Sequence, residues 1–180
     1  MHSLLEVRGV SVSFDGYKAI NELSFEIGSG ELRAIIGPNG AGKTTFMDLI
    51  TGKTKPDIGS VQWGTPPQNL LKMSESKIAS LGIGRKFQRP TVFENQSVLN
   101  NLLISLKKKR DPISSIFFRL DSIDHQRIDE IAVEIGLHEY KNKIAGELSH
   151  GQKQWLEIGM LLGQGPKLLL IDEPAAGMTP

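Results

Sequence analysis

Residues 37–44 read GPNGAGKT and complete the pattern G-x-x-x-x-G-K-[S/T]. Glycines at these spacings let backbone N–H groups converge on phosphate oxygens with no Cβ in the way. Lys43 is placed to reach the β- and γ-phosphates of a nucleotide, and the Thr44 hydroxyl is placed to hold Mg²⁺. The sequence therefore predicts a nucleotide-binding loop. Its candidate contacts are Gly37, Pro38, Asn39, Gly40, Ala41, Gly42, Lys43, Thr44 and Thr45.

The segments on either side of the loop match what this chemistry requires. An apolar, β-prone run, Leu32–Ile36, precedes the loop, and a helix-like run, Thr45–Ile50, follows it and is closed by Gly52. A strand, a glycine-rich turn and a helix form the context in which the motif works. The helix N-terminus also favours negative charge through its dipole.

A second group of chemical residues follows an apolar run near the end of the sequence. The predicted strand Leu168–Ile171 leads directly into Asp172 and Glu173. The carboxyl end of a strand is where an α/β sheet places its site. We expect Asp172 to be the carboxylate linked to Mg²⁺ and Glu173 to polarise the attacking water as a general base.

Composition limits the other possibilities. The chain has 180 residues, 39% of them hydrophobic, and a net charge of +1, which gives no overall attraction to nucleic acid. It contains no cysteine, so disulfides and thiolate metal sites are excluded. No apolar run is long enough to span a bilayer, and the N-terminus does not resemble a signal peptide.

Periodicity predicts the remaining elements. Alternating apolar residues predict β-strands in residues 5–27, and Ser60–Trp63 reads as a further short strand. Ser74 is expected to cap a helix from Glu75 to Leu81, and residues 83–88 look extended. Residues 98–144 have a helical pattern in which four apolar residues share one face: Ile128, Ile131, Ala132 and Ile135. A last helix is predicted over residues 151–162.

These elements, taken in order, resemble the ATP-binding subunits of ABC transporters. The order is an aromatic residue near the start, the phosphate loop, Gln88 after an extended segment, a helical segment, the sequence LSHGQ at residues 148–152, and the acidic strand. The stretches GRKFQRP (84–90) and AAGM (175–178) are similar to importers of the branched-chain amino acid and urea group. The stretch LSHGQKQWLE (148–157) is most similar to the urea branch.

The resemblance implies further site residues. Phe14 stands where the family stacks an aromatic ring on adenine, although a core strand residue explains it equally well. Gln88 matches the residue that senses Mg²⁺ and the attacking water. Ser149, Gly151 and Gln152 match the signature that touches the γ-phosphate bound by the opposite subunit. The implied catalytic set is Glu173, Gln88 and Lys43, and the implied metal set is Thr44, Gln88 and Asp172.

The resemblance also implies an architecture and partners. We expect an α/β P-loop NTPase core with an antiparallel β patch and an inserted helical lobe. Within a single domain, residues 1–93 would hold the β patch, phosphate loop and Gln88, residues 94–150 the lobe, and residues 151–180 the signature helix and acidic strand. ATP and Mg²⁺ are the expected cofactors. The expected partners are transmembrane permease subunits and a second copy or a paralogue, with no nucleic acid, at the cytoplasmic face of the inner membrane.

The sequence departs from the family pattern at three places. His150 replaces a usual glycine, where its imidazole either attracts phosphate or turns to solvent. Thr179 replaces a usual aspartate, and no histidine follows Glu173 as a switch residue. The chain is therefore expected to lack the C-terminal elements of the domain and to be inactive by itself. The alternatives are an inert nucleotide-binding fragment and a soluble ABC ATPase unconnected with transport.

Overall fold

The computed structural model describes residues 3–86, 92–106 and 122–172, with the side chains of residues 122 and 123 left aside. The chain divides into two compact units, Met1–Ile83 and Gly84–Pro180. The predicted boundaries of the β patch, the helical lobe and the last segment, at residues 93 and 150, stay a prediction. No helix in the described part of the chain is long and apolar enough to cross a bilayer.

The first unit contains an antiparallel sheet with the strand order β2-β1-β3-β4. Its strands are β1 (Ser3–Phe14), β2 (Tyr17–Gly28), β3 (Ile58–Trp63) and β4 (Gln68–Asn69). Leu5 and Val7 are buried at odd positions, and Val10 and Val12 at even positions. The register shift between Val7 and Val10, with Gly9 at φ +55°, allows both sets to face the core.

Two helices complete the first unit. α1 (Lys43–Ile50) follows the phosphate loop and buries Phe46, Met47, Leu49 and Ile50. The Phe46 ring meets the Phe25 ring of β2 edge to face, with 5.2 Å between centroids, which holds α1 against the sheet. α2 (Glu75–Ser80) begins at Ser74, whose hydroxyl accepts a hydrogen bond from the Lys77 amide. The predicted cap at Ser74 is confirmed.

The predicted strand before the phosphate loop is wrong for this structure. Residues 31–38 have no regular secondary structure, and Leu32 and Ile36 are 96% and 94% exposed. β-propensity expresses how well a residue fits a pleated, half-buried surface next to other strands. Among the described residues no strand pairs with this segment, so its apolar side chains gain neither burial nor ladder hydrogen bonds.

The second unit combines a small sheet with a helical lobe. β5 (Ile83–Lys86), which begins at the last residue of the first unit, pairs with β6 (Leu168–Ile171). The helices described in the lobe are α3 (Val98–Ser105), α4 (Ser122–Glu134) and α5 (His150–Gly163), with short 3-10 turns at His138–Tyr140 and Ala145–Glu147. Within the described residues, the predicted helical region contains α3, α4 and the two 3-10 turns.

The core of the lobe confirms the predicted apolar face. Ile128, Ile131 and Ala132 are fully buried and Ile135 nearly so. α5 approaches the other two helices closely at Gly159, where a Cβ would come within 2.6 Å of Ile135 and 3.1 Å of Leu102. A side chain at this position would push the helices apart, so the glycine fixes α5 against α3 and α4.

Candidate nucleotide-binding site

The phosphate loop forms an open cradle at the start of α1. Gly40 and Gly42 have φ of +82° and +83°, a conformation that glycine adopts without strain. The Ala41 amide donates to the Pro38 carbonyl at 3.2 Å, which closes a turn. Gly42 is the N-cap of α1, and no side chain caps the helix. The first amides of α1 are therefore directed toward the loop, as a phosphate site requires.

The ammonium group of Lys43 is held within this loop. Its Nζ donates hydrogen bonds to the carbonyl oxygens of Gly37 at 2.6 Å and Pro38 at 2.8 Å. The positive charge consequently lies inside the span of residues that would surround the phosphates. The glycine turn, the helix N-terminus and the cation all suit a polyanionic ligand.

The loop is also fixed from outside by the sheet. A Cβ on Gly42 would come within 2.4 Å of the carbonyl oxygen of Ala19 in β2. This distance is too short for any side chain, so the loop and β2 lie in direct backbone contact at this point. The hairpin that joins β1 and β2 is thereby placed next to the phosphate loop.

The tip of the same hairpin carries two exposed aromatic residues. Phe14 is 48% exposed, which is inconsistent with a core strand residue, and its role in stacking stays a prediction. Tyr17 lies directly opposite Phe14 in the strand register and is 66% exposed. Residues opposite each other in an antiparallel pair share one face of the sheet. Sequence reasoning missed Tyr17, although the short loop between Phe14 and Tyr17 was a signal for the pair.

The signature residues lie at the start of α5. Ser149 is the N-cap, and its hydroxyl accepts a hydrogen bond from the Gln152 amide at 3.2 Å. The Gln152 side chain in turn accepts one from the Ser149 amide at 3.0 Å, which completes a capping box. Gly151 lies in the first turn between them. The structure therefore brings together all three predicted signature residues.

The departure at His150 takes a defined conformation. The side chain is directed along α5, where its Nε2 lies 3.1 Å from Nε2 of Gln154, one turn further on. His150 is exposed, which agrees with the expectation of a side chain turned to solvent, and contact with phosphate stays a prediction.

The acidic strand is only partly described. Asp172 follows β6 directly and is buried at 6% exposure. Glu173, Gln88 and Thr179 lie outside the described residues. In the described part of the chain, no cluster of three or more His, Cys, Asp or Glu side chains could hold a metal ion. Thr44 and Asp172 belong to different units, so their shared Mg²⁺ site stays a prediction.

The structure also shows a buried charge pair that sequence reasoning missed. Lys86, at the end of β5, places its Nζ 3.6 Å from Oε2 of Glu157 in α5, and the two side chains are 2% and 3% exposed. The partners are 71 residues apart in the sequence, so no local pattern connects them. The only weak sign of burial in the sequence was the apolar pair Leu156 and Ile158 on either side of Glu157.

Comparison with known proteins assigns the class. The ABC transporter family model matches residues 20–176. The chain therefore belongs to the ABC transporter family, and its predicted fold, that of the ABC ATPases, is confirmed.

Particular relatives agree with this assignment. The chain is 35% identical to the high-affinity branched-chain amino acid transport ATP-binding protein LivG of Salmonella typhimurium, over 98% of this chain and 71% of LivG. It is similar to the ADP conformation of an ATP-binding cassette of an ABC transporter, with a TM-score of 0.80, 31% identity, and coverage of 100% and 72%. It is also similar to cbiO1 of Clostridium perfringens, part of the cbiONQ transporter complex, with a TM-score of 0.80, 29% identity, and coverage of 100% and 69%.

Proposed function

We propose that this chain, as part of a complete ABC ATPase domain, binds Mg-ATP and hydrolyses it to power solute import by an ABC transporter. The observation that carries the proposal is the open cradle of residues 37–44, with Lys43 held inside it by two backbone carbonyls. When ATP binds, Lys43 exchanges these carbonyls for phosphate oxygens. The exchange keeps the ammonium group hydrogen-bonded throughout, so binding leaves no buried charge unpaired.

The adenine ring lies against the aromatic residues at the hairpin tip. Phe14 and Tyr17 share one face of β1 and β2, and β2 contacts the phosphate loop at Ala19. A base stacked on such a surface is held through its π-face, with few hydrogen bonds to its edge. Discrimination among purine bases is therefore expected to be weak.

The signature at the start of α5 serves the nucleotide of a second copy or a paralogue. Ser149, Gly151 and Gln152 form a helix N-terminus of the kind that binds anions. In the described structure the backbone amides of Ser149 and Gln152 donate within the capping box instead of to a γ-phosphate. Binding across a dimer therefore requires Ser149 and Gln152 to release part of this box, and hydrolysis restores it.

ATP hydrolysis uses the acidic residues after β6 together with the phosphate loop. Glu173 accepts a proton from water as the water oxygen bonds to the γ-phosphorus, and the bond from that phosphorus to the β–γ bridging oxygen breaks to release ADP. Asp172 and Thr44 would hold Mg²⁺, with Gln88 beside it, and the ion would neutralise charge on the phosphates. Lys43 stabilises the same charge from the loop.

The solute is the finer part of the proposal. The similarity to LivG supports branched-chain amino acids as the transported solute. Urea as the solute rests only on the resemblance of residues 148–157 and receives no support from these relatives. The similarity to cbiO1, part of a transporter complex, supports permease subunits as partners. The chain would then act as a peripheral subunit at the cytoplasmic face of the membrane.

Reconstitution of the ATPase with candidate permease subunits tests the proposal. Vesicles holding the complex should take up radiolabelled leucine with ATP and release phosphate at the same time, and labelled urea tests the other branch. Glu173→Gln should retain ATP binding, nearly abolish phosphate release, and accumulate an ATP-bound dimer on gel filtration. ATP binding without phosphate release by the assembled complex would contradict the proposed function and favour an inert nucleotide-binding protein.

A further inference from the structure

Lys86 and Glu157 form a buried ion pair in the described part of the second unit. Both charged side chains are almost completely removed from solvent, and Lys86 is among the largest fully buried side chains in the described chain. Burying two charges is costly, and an apolar pair of similar volume commonly stabilises a core as well or better. Stability by itself therefore does not account for this pair.

The position of the pair relates it to the proposed site. Lys86 ends β5 two residues before Gln88 in the sequence. Glu157 lies on α5 eight residues after Ser149, about 12 Å along the helix. The pair thus joins the chain that leads to Gln88 to the helix that presents the signature.

A second ion pair connects the same helix to the chain beyond Gln88. Lys153 of α5 donates to Oε1 of Glu94 at 2.7 Å. Its position and that of Glu157 are four residues apart, so both lie on one face of α5. The Glu94 carbonyl also accepts a hydrogen bond from the Gly146 amide at 2.8 Å, which fixes this segment to the turn before the signature. α5 therefore holds the chain at residues 86 and 94.

An ion pair restricts geometry in a way that an apolar contact does not. Two apolar side chains can slide past each other with little change in contact, whereas opposite charges in a low-dielectric interior favour one separation and one register. Lys86 and Glu157 can therefore fix the register of β5 along α5. A small displacement of β5 would change the position of its end relative to the signature.

We propose that Lys86 and Glu157 are positioning residues for ATP hydrolysis, which set the end of β5 in register with the signature helix. The inference rests on the proposed function. It assigns no contact with nucleotide to either residue, and it treats Lys153–Glu94 as a weaker second attachment because Glu94 is 62% exposed.

The test replaces the pair by apolar residues of similar size. In the complex with permease, Lys86→Met/Glu157→Leu should melt within about 4 °C of the native protein. It should also bind ATP with an affinity within about twofold and lose on the order of tenfold in kcat, because misplacement of reacting groups lowers turnover without affecting ground-state binding. The matched control is Lys141→Met/Asp129→Leu, which removes an exposed ion pair of the same lobe and should leave kcat unchanged.

Amide hydrogen exchange gives a readout that does not depend on turnover. If the pair fixes the register of β5, amides 83–86 should exchange at least about tenfold faster in the double variant at equal melting temperature. Native kcat in that variant, unchanged exchange of β5, or failure of the variant to fold would each overturn the proposal. If even the native complex releases no phosphate, the proposed function fails, and exchange then decides the role of the pair separately.

Discussion

The two helix N-termini that the proposed reaction uses are built in opposite ways. α1 begins at Gly42, which has a left-handed conformation and contributes no side chain to the helix end. α5 begins at Ser149, which has an extended conformation and closes a capping box with Gln152. Both ends share the same helix dipole and the same surplus of backbone N–H groups. They differ in whether a side chain caps the helix.

This difference indicates that the start of α1 is a standing phosphate site, whereas the start of α5 contacts phosphate only during part of the cycle. At α1 the ligand supplies the missing acceptors, so the loop is poised for phosphate and depends on glycine geometry. At α5 the protein supplies them itself, which stabilises the helix by about 0.5–2 kcal/mol when no phosphate is present. A phosphate from another subunit must then compete with the capping box, which suits a contact that forms and breaks in each cycle.

Alanine at the two glycines gives the largest expected contrast. Gly42→Ala should cost at least about 1–3 kcal/mol through its left-handed backbone. It should also abolish ATP binding, because the new Cβ would collide with the Ala19 carbonyl. Gly151→Ala, inside the first turn of α5, should change stability by about 0.5–1 kcal/mol in the favourable direction. Thermal melting and calorimetry with ATP measure both. Equal behaviour of the two variants would show that the ends are not built differently.

Removal of the loop cation is the next largest effect. Lys43→Ala should weaken ATP binding by about 1.5–3 kcal/mol, the scale of hydrogen bonds to a charged group. It should have little effect on folding, because Lys43 bonds only loop carbonyls in the described contacts. Lys77→Ala, at an exposed lysine of α2, is the control and should bind ATP normally. Isothermal titration that finds equal affinity for Lys43→Ala and the native chain would refute the assignment.

The cap of α5 tests the other half of the comparison. Ser149→Ala should lower the free energy of unfolding by about 0.5–2 kcal/mol, since the Gln152 amide loses its acceptor. Ser97→Ala removes the equivalent cap of α3 in the same unit and should cost a similar amount. Only Ser149→Ala should also reduce phosphate release by the assembled complex. If the two variants lost activity equally, the role of Ser149 would be limited to capping.

The local parts of this picture could be predicted from the sequence. The loop at residues 37–44, the cap at Ser74 and the buried face of Ile128 and Ile131 depend on neighbours within about one or two helical turns, which a linear pattern contains. The non-local parts could not be predicted. The segment Leu32–Ile36 can form a strand only if it pairs with strands that are distant in the sequence. The contact of Lys86 with Glu157 likewise joins segments that are far apart in the sequence. The exposure of the Phe14 side chain could not be predicted either, because it depends on which segments pack around the hairpin tip.

The smallest predicted effect is a change in stability at low pH. It arises from an ion pair of the helical lobe and should leave the phosphate loop unaffected. The hydrogen bond from Lys141 to Asp129, 2.5 Å long, lowers the pKa of that carboxyl below its ordinary value. A carboxyl with a lowered pKa in the folded state binds fewer protons than in the unfolded chain. Its contribution to stability is therefore present at neutral pH and is lost as the pH falls below about 4, through the folded pKa.

Asp129→Asn should consequently reduce stability slightly at pH 7 and flatten part of the decline that occurs as the pH falls below about 4. Both effects should shrink in high salt because the pair is exposed. Urea unfolding at several pH values measures the difference, with Lys141→Met expected to give the same flattening. ATP affinity at pH 7 should be unaffected, since the pair caps neither α1 nor α5. A variant whose pH profile matches the native one at low salt would show that the pair contributes nothing to stability.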